Sequence, residues 1–484
     1  MYGVPKIYLS SRKDTRVYGV PASAYPTALR RKGYGMLLRN RGQGGWRSRS
    51  QGHGTLGALP KLGLVAVAAA AAMVAAGCSS SSSSTATAPA SSASAGTSSS
   101  PATSGTVPAG LSVNSFTTDI ASTMSQLKGL TGSAGSGLQI GVVLPDTTSS
   151  TRWVDFDAPY WTTALTAAGL SSSQFKIDNA QGSDATQLSD ATADINLGAK
   201  VLVVCPLDGP TGVAIAKLAE QKGVTLIAYD RAIFEGSKTY YVSFDNEKVG
   251  ELIGTGFNQC LTDWKVKSPQ VYVLNGGQDT DPNAISFASG YNKVVFGQSA
   301  KTVAAGAKGT AGGATLVAEN FAPGWDNTKG GTIFQQAYTA NPKINATIEA
   351  NDGLANSVIT VLKSAGVKPK TVPTTGQDAT AQGMAWILQG YQCGSVYKAV
   401  YKEAQDAAAM AVILLAGQTP PASLLNSTTT DPANSSITEP ASLITPEWVT
   451  AANMESTVVK DGFDKASAIC AIAGASTCSA AGIK

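Results

Sequence analysis

Short apolar runs alternate with amphipathic stretches from residue 138 onward. The runs LQIGVVL (138–144), FKIDNA (175–180), KVLVVCP (200–206) and VTLIAYD (224–230) each read as a strand. Between them, 153–169, 184–198 and 211–222 carry helical spacing, for instance apolar Leu188, Ala191, Ile195 and Leu197. Strands separated by single helices predict a parallel sheet covered on both faces. After YYVSFDN (240–246) the alternation restarts. Helix 247–261 precedes strand QVYVLNGG (270–277), and helix 284–296 precedes ATLVAEN (314–320). Helix 327–341, strand ATIEAND (346–352), helix 354–365, strand TVPTTGQD (371–378), helix 382–389, strand SVYK (395–398) and helix 403–415 follow. The expected fold class is α/β: two Rossmann-like parallel-sheet lobes joined by a hinge where the chain crosses. Such lobes bury a ligand between their strand ends and close upon it.

Charge separates the body from what precedes it. Residues 1–61 hold 12 of the 36 Lys and Arg against one acid, Asp14. The remainder carries 24 basic and 31 acidic side chains, an acidic balance that argues against nucleic acid as a partner. The sole histidine, His53, lies in the leader, so the body has no imidazole for a catalytic triad or an ordinary zinc site. No metal and no cofactor are expected.

An apolar run, LGLVAVAAAAAMVAA (62–76), follows the basic leader and meets Gly77-Cys78. Fifteen residues are short for a membrane span and suit a signal-peptide core. The AAGC ending resembles a bacterial lipobox, with Cys78 as the acylated residue. Residues 79–137 are mostly Ser, Ala, Thr and Gly and read as a tether, with one short helix expected over 116–130. These features place the body outside the cytoplasmic membrane.

Five further cysteines suit an oxidising compartment. Cys205, in VLVVCP, reads as a free core thiol. Cys470 and Cys478 lie eight apart, which leaves Cys260 and Cys393 as a second pair, although four cysteines allow three connectivities.

Polar residues collect after the strands: Arg152-Trp153, Asp230-Arg231, Asp245-Asn246, Asp281 with Asn283, Asn351-Asp352, Gln377-Asp378 and Lys398. A sugar hydroxyl both donates and accepts, so mixed acids, amides and bases suit a polyol. Trp153 and Trp325 offer flat faces for the C–H patches of a pyranose. The series Asp279-x-Asp281-x-Asn283 lacks the Gly and Glu of a calcium loop, with Ala284 and Gly290 in their places.

The stretches RWVDFD, AYDRAI, SFDNEKVGEL, NGGQDTDPNA, EANDGLA, GQDA and SVYK resemble the xylose- and multiple-sugar-binding branch of the periplasmic sugar-binding proteins. The resemblance spans about 138–418. It implies the type I periplasmic-binding fold, with lobes joined by a three-segment hinge, and sugar contacts at Arg152, Arg231, Asp245, Asn246, Asn283, Asp352, Asp378 and Lys398, with Asp230 either a further contact or the group that orients Arg231. It departs at Pro282 and at Ser150-Thr151, where relatives carry an Asn and an acid or amide.

The expected function is monosaccharide capture, xylose foremost, by a lipid-anchored monomer that serves an ABC permease. A sugar sensor and a glycoside-processing enzyme are the alternatives. The expected divisions are a leader and signal (1–77), a linker (78–137), a first lobe (138–244 plus about 379–397), a second lobe (245–378 plus about 398–470) and a Cys-bearing tail (471–484).

Overall fold

The computed structural model describes residues 105–236, 239–432 and 434–484. Cys78, the signal and the start of the linker lie outside them. Among the described residues no helix is long and apolar enough to cross a membrane.

Twelve strands are described: β1 Ile140–Leu144, β2 Phe175–Asn179, β3 Val201–Val204, β4 Thr225–Tyr229, β5 Thr239–Phe244, β6 Gln270–Asn275, β7 Thr315–Phe321, β8 Ala346–Glu349, β9 Ser395–Tyr397, β10 Ser427–Thr430, β11 Thr438–Ile444 and β12 Glu447–Val449. The first lobe is one sheet in the order β10-β11-β5-β4-β3-β1-β2. Its strands run parallel except β10, which lies antiparallel to β11 at the edge. Alternate side chains feed two cores. Ile140, Val142, Val203, Ile227 and Val242 enter one, whereas Val143, Leu202, Val204, Leu226 and Tyr241 enter the other. Helix Val400–Leu415, buried almost along its whole length, fills the first core. Cys205 is a buried free thiol beside it.

The second lobe orders its sheet β7-β6-β8, with β9 paired to antiparallel β12. The expected strand 371–378 is instead an extended connector. It links the two pieces through Thr347 N–H to Pro373 O (2.9 Å), Val396 N–H to Gly376 O (3.0 Å) and a Gln377–Val396 bridge. Cys260 and Cys393 are joined by a disulfide, 133 residues apart, within this lobe. Loop-closure entropy makes such a link worth roughly 5 kcal/mol. A second disulfide joins Cys470 to Cys478 between the terminal helices Ala466–Ala473 and Ala475–Ala481.

Two boundaries differ from the expected divisions. Helix Ala381–Gln389 and β9 pack with the second lobe, since Val396 and Met384 sit in its cores. Helix Val400–Leu415, β10 and β11 belong to the first lobe, because β11 hydrogen-bonds beside β5. A strand's sheet is decided by its neighbour, and YYVSF left β5 with an open edge that a later segment fills. The chain thus crosses between lobes at 244–246, 397–400 and 444–447. Asp245 N–H to Ile444 O (3.1 Å) ties the first crossing to the third.

The expected linker also ends early. Leu111, Phe116, Ile120, Met124, Leu127 and Leu130 are buried in the first core. Helices Ile120–Ser125 and Lys128–Thr131 carry three of them, Ile120, Met124 and Leu130. Gln405 Nε2 to Thr117 O (2.8 Å) and Gln418 Nε2 to Gly105 O (2.6 Å) hold the segment to helix Val400–Leu415 and its end. Sparse apolar residues in a Ser/Thr background hid this packing.

Candidate functional site

The strand ends of both lobes face one cavity. Ser149, Ser150, Asp230 and Arg231 line it from the first lobe; Asn283, Phe287, Trp325, Asn351, Gln377 and Asp378 line it from the second. Lys398, on the middle crossing, completes it. Five of the expected sugar contacts, Asp230, Arg231, Asn283, Asp378 and Lys398, therefore meet here with Trp325.

Asp230 is the centre of the arrangement. Its Oδ2 accepts from Arg152 Nη1 (2.7 Å) and Lys398 Nζ (3.2 Å), and Oδ1 accepts from Asn283 Nδ2 (3.2 Å). The backbone at Asp230 is left-handed, with φ +61°. That strain turns its carbonyl toward three donors: Tyr241 Oη (2.7 Å), Ser243 Oγ (2.9 Å) and Asn283 Nδ2 (3.0 Å). Burial alone would raise the carboxyl's pKa. Lys398, Arg152 and Arg231 outweigh it and hold the group well below the usual carboxylate range. Asp230 is thus a fixed anion and a poor proton donor.

Arg231 is buried, donates from Nη1 to Pro206 O (3.0 Å), and lies 5.8 Å from the Trp153 ring centroid. Asp378 also has a left-handed backbone (φ +93°), as does Ala379 (φ +50°). Their amides are held by Val396 O (2.9 Å) and Ser395 Oγ (3.0 Å). Asp378 accepts from Ser150 Oγ across the cleft (3.3 Å) and lies 3.8 Å from Lys398 Nζ.

Trp325 supplies the aromatic wall. Its Nε1 donates to Asp281 Oδ2 (2.8 Å), and its ring meets Phe287 edge-on at 6.2 Å. A Cβ at Gly276 would fall 1.8 Å from the indole, so only glycine lets the ring lie against that turn. The ring is pinned on three sides before any ligand touches it.

The other expected contacts do different work. Arg152 is sealed behind Asp230. It donates from Nε (3.0 Å) and Nη2 (2.8 Å) to Asp157 and from Nη2 to Glu403 (2.6 Å), besides its bond to Asp230. Burial pushes Glu403 up to about 8 against the pull of Arg152. Trp153 packs in the first core beneath Arg152, whose guanidinium lies 4.3 Å from its ring centroid. It does not line the cavity. Asp245 is exposed and caps helix Asn246–Asp263 by accepting from Lys248 N–H (3.0 Å). Asn246 buttresses the site, donating to Asn283 Oδ1 (3.0 Å) and Tyr241 Oη (2.9 Å).

Asp352 is enclosed within the second lobe. Gln392 Nε2 (2.7 Å) and Ser395 Oγ (2.8 Å) donate to Oδ1, while Thr380 N–H (2.8 Å) and Oγ1 (3.1 Å) donate to Oδ2. Its neighbour Asn351 lines the cavity in its place. Gln377 does so as well, and its Oε1 is buried with no protein partner among the described residues. Ser149, Ser150 and Phe287 were also outside the expected set. Strand-end position had marked Asn351 and Gln377; the short serines carried no signal.

The cavity lies between two α/β lobes at their strand ends, walled by fixed acids, bases and amides beside an immobilised indole. A periplasmic binding protein domain matches residues 140–419, more than half of the chain. This chain belongs to the periplasmic binding protein family. Its lobes have the type I fold, and the family is one of solute-binding proteins and not of enzymes. The D-xylose-binding periplasmic protein of Escherichia coli is 36% identical over 60% of this chain and 82% of its own length. The multiple sugar-binding periplasmic receptor ChvE of Rhizobium radiobacter is 30% identical over 68% and 91%. A carbohydrate transporter solute-binding protein from Chloroflexus aurantiacus, solved with D-glucose, superimposes with a TM-score of 0.58 at 26% identity, covering 69% of this chain and 98% of that one.

Proposed function

We propose that this protein captures a monosaccharide between its lobes and delivers it to an ABC permease. The cavity carries the reading. Asp230 and Asp378 accept, Arg231 and Lys398 donate, Asn283, Asn351 and Gln377 do either, and Trp325 packs against a ring face. Enclosure makes this selective, since an ill-fitting analogue leaves buried polar groups unpaired. The named ligands of the relatives and neighbours, D-xylose and D-glucose, support a pentose or hexose, with xylose first. Asp230 is held as an anion among three cations, which suits binding and not acid catalysis.

The protein works outside the cytoplasmic membrane, as a monomer held through acylated Cys78. The apolar run before Cys78 and the Ser-rich tether after it support that placement. Calorimetry with D-xylose, D-glucose, L-arabinose and D-galactose tests the ligand. Saturable binding of at least one, with no turnover of aryl glycosides, is expected. Binding of none, alongside tight binding of an amino acid or nucleoside, would overturn the reading. Partition of the native protein into detergent tests the anchor.

A further inference from the structure

Residues 460–464 lie outside the cavity and touch both lobes. They follow the π-helical turn Glu455–Val459, whose Val458 shares a core with Met384 of the second lobe. Gly462 has a left-handed backbone (φ +68°), and Phe463 N–H returns to Val458 O (3.1 Å). This turn brings Asp461 and Phe463 against the first lobe. Phe463 is buried, and its ring stacks on Phe156 of the first lobe, with 4.2 Å between centroids and 18° between planes. It also meets Tyr397 of β9 edge-on at 5.2 Å. Asp461 Oδ2 accepts from Tyr397 Oη (3.1 Å) and from Tyr401 Oη (3.3 Å) on helix Val400–Leu415. One carboxylate oxygen thus joins the two sides of the middle crossing. Both contacts lead directly to the cavity wall. Lys398 follows Tyr397, and Arg152 opens the turn Trp153–Asp157 that carries Phe156. These two cations hold Asp230.

We propose that Asp461 and Phe463 form a latch that holds the lobes closed on the ligand and positions Lys398 in the cavity wall. This rests on the sugar-binding reading and adds positioning residues to it. Contacts between lobes that exist in the closed arrangement alone favour that arrangement, so they slow release without touching the sugar. A stacked aromatic pair is worth roughly two- to tenfold in such an equilibrium.

Stopped-flow kinetics on the full chain test this, with Trp325 in the cavity wall as the fluorescent reporter. The ligand is whichever of D-xylose, D-glucose, L-arabinose and D-galactose the native protein binds. Phe156→Ala and Phe463→Ala should each speed sugar release about tenfold and change the association rate less than about twofold. The double variant should release no faster than either single one, because the two rings act as one contact. Tyr401→Phe removes the hydroxyl bond to Asp461, keeps the packing, and should speed release about threefold. It decides the matter alone if the alanine variants do not fold. Native release rates with lowered melting temperatures make the segment a structural brace and overturn the latch. So do single effects that multiply in the double variant. Failure of the native protein to bind any of the four sugars overturns the sugar-binding reading and the latch with it.

Discussion

Asp230 and Asp352 are both buried acids at the carboxyl ends of parallel strands, and they have opposite surroundings. Asp230 meets cations, Arg152 at 2.7 Å and Lys398 at 3.2 Å, and forms part of the cavity wall. Asp352 meets only neutral donors, and its place in the second lobe is packed shut. A Cβ at Gly376 or Gly383 would come within 2.0–2.2 Å of its carboxylate. Burial pushes Asp352 up to about 7 despite those donors. The lesson is that strand-end position brings an acid near a cleft, and its partners decide whether it faces ligand or braces the wall.

The largest difference should come from removing the charge at Asp230. Asp230→Asn leaves Arg152 and Lys398 buried with one counter-charge fewer, which should cost about 3–5 kcal/mol of stability. Sugar affinity should fall roughly a hundredfold or more, because the charged acceptor is lost and Lys398 loses the anion that positions it in the cavity wall. Urea unfolding and calorimetry read the two effects separately. An unchanged affinity in the folded variant would make Asp230 a brace like Asp352.

Trp325→Leu should come next. It keeps apolar volume beside Phe287 but removes the flat face and the bond to Asp281. Affinity should fall by about 2 kcal/mol, some thirtyfold. The matching change at Trp153, expected from sequence to do the same job, should damage the first core and reach the ligand only through Arg152 and Arg231. Equal affinity losses per folded molecule would dissolve that distinction.

Legibility followed the same line. Alternating apolar runs and helical spacing were enough to read the two lobes, because a parallel sheet needs buried strands and covering helices. The crossings were not legible, since β11 joins β5 from 200 residues away and nothing in TEPASLI names its partner. At the site, the dyads revealed the neighbourhood but not the side. In Asn351-Asp352, one residue turns to the cavity and the other into the wall. Backbone direction at a helix start sets that choice, and here the cap is Asn351, which accepts from Leu354 N–H (2.9 Å). In Asp245-Asn246 the cap is the acid, and it faces solvent.

The pair also predicts opposite responses to pH. Asp352 has a folded pKa raised above its unfolded value, so its contribution is complete below about pH 4 and is lost as pH rises through about 7. Asp230 is depressed, so its contribution is complete above its unfolded value and is lost as pH falls through the folded one. Glu349, Glu403 and Asp406, raised by burial to about 8, 8 and 7, add to the Asp352 slope. Unfolding midpoints measured between about pH 5 and 8 should therefore fall with rising pH in the native protein. Asp352→Asn should flatten part of that fall, at a cost of about 2 kcal/mol where Gln392 meets an amide. Ligand affinity should stay within about twofold. Loss of affinity without a change in slope would return Asp352 to the cavity.

Asp245→Ala carries the smallest expected effect and separates site from scaffold most cleanly. The resemblance implied a sugar contact there; the side chain instead caps helix Asn246–Asp263 and faces solvent. Loss of a cap costs about 1 kcal/mol. The backbone bond from its amide to Ile444 O does not involve the side chain, so the crossing should keep its course. Affinity should then match the native protein, because Asn246 and Asn283 hold their own bonds. Asp245→Asn, a good cap without charge, should restore most of the stability. If affinity drops in the alanine variant and recovers in the asparagine one, the helix start steers Asn246 into place, and the border between binding wall and brace runs one residue earlier than the geometry places it.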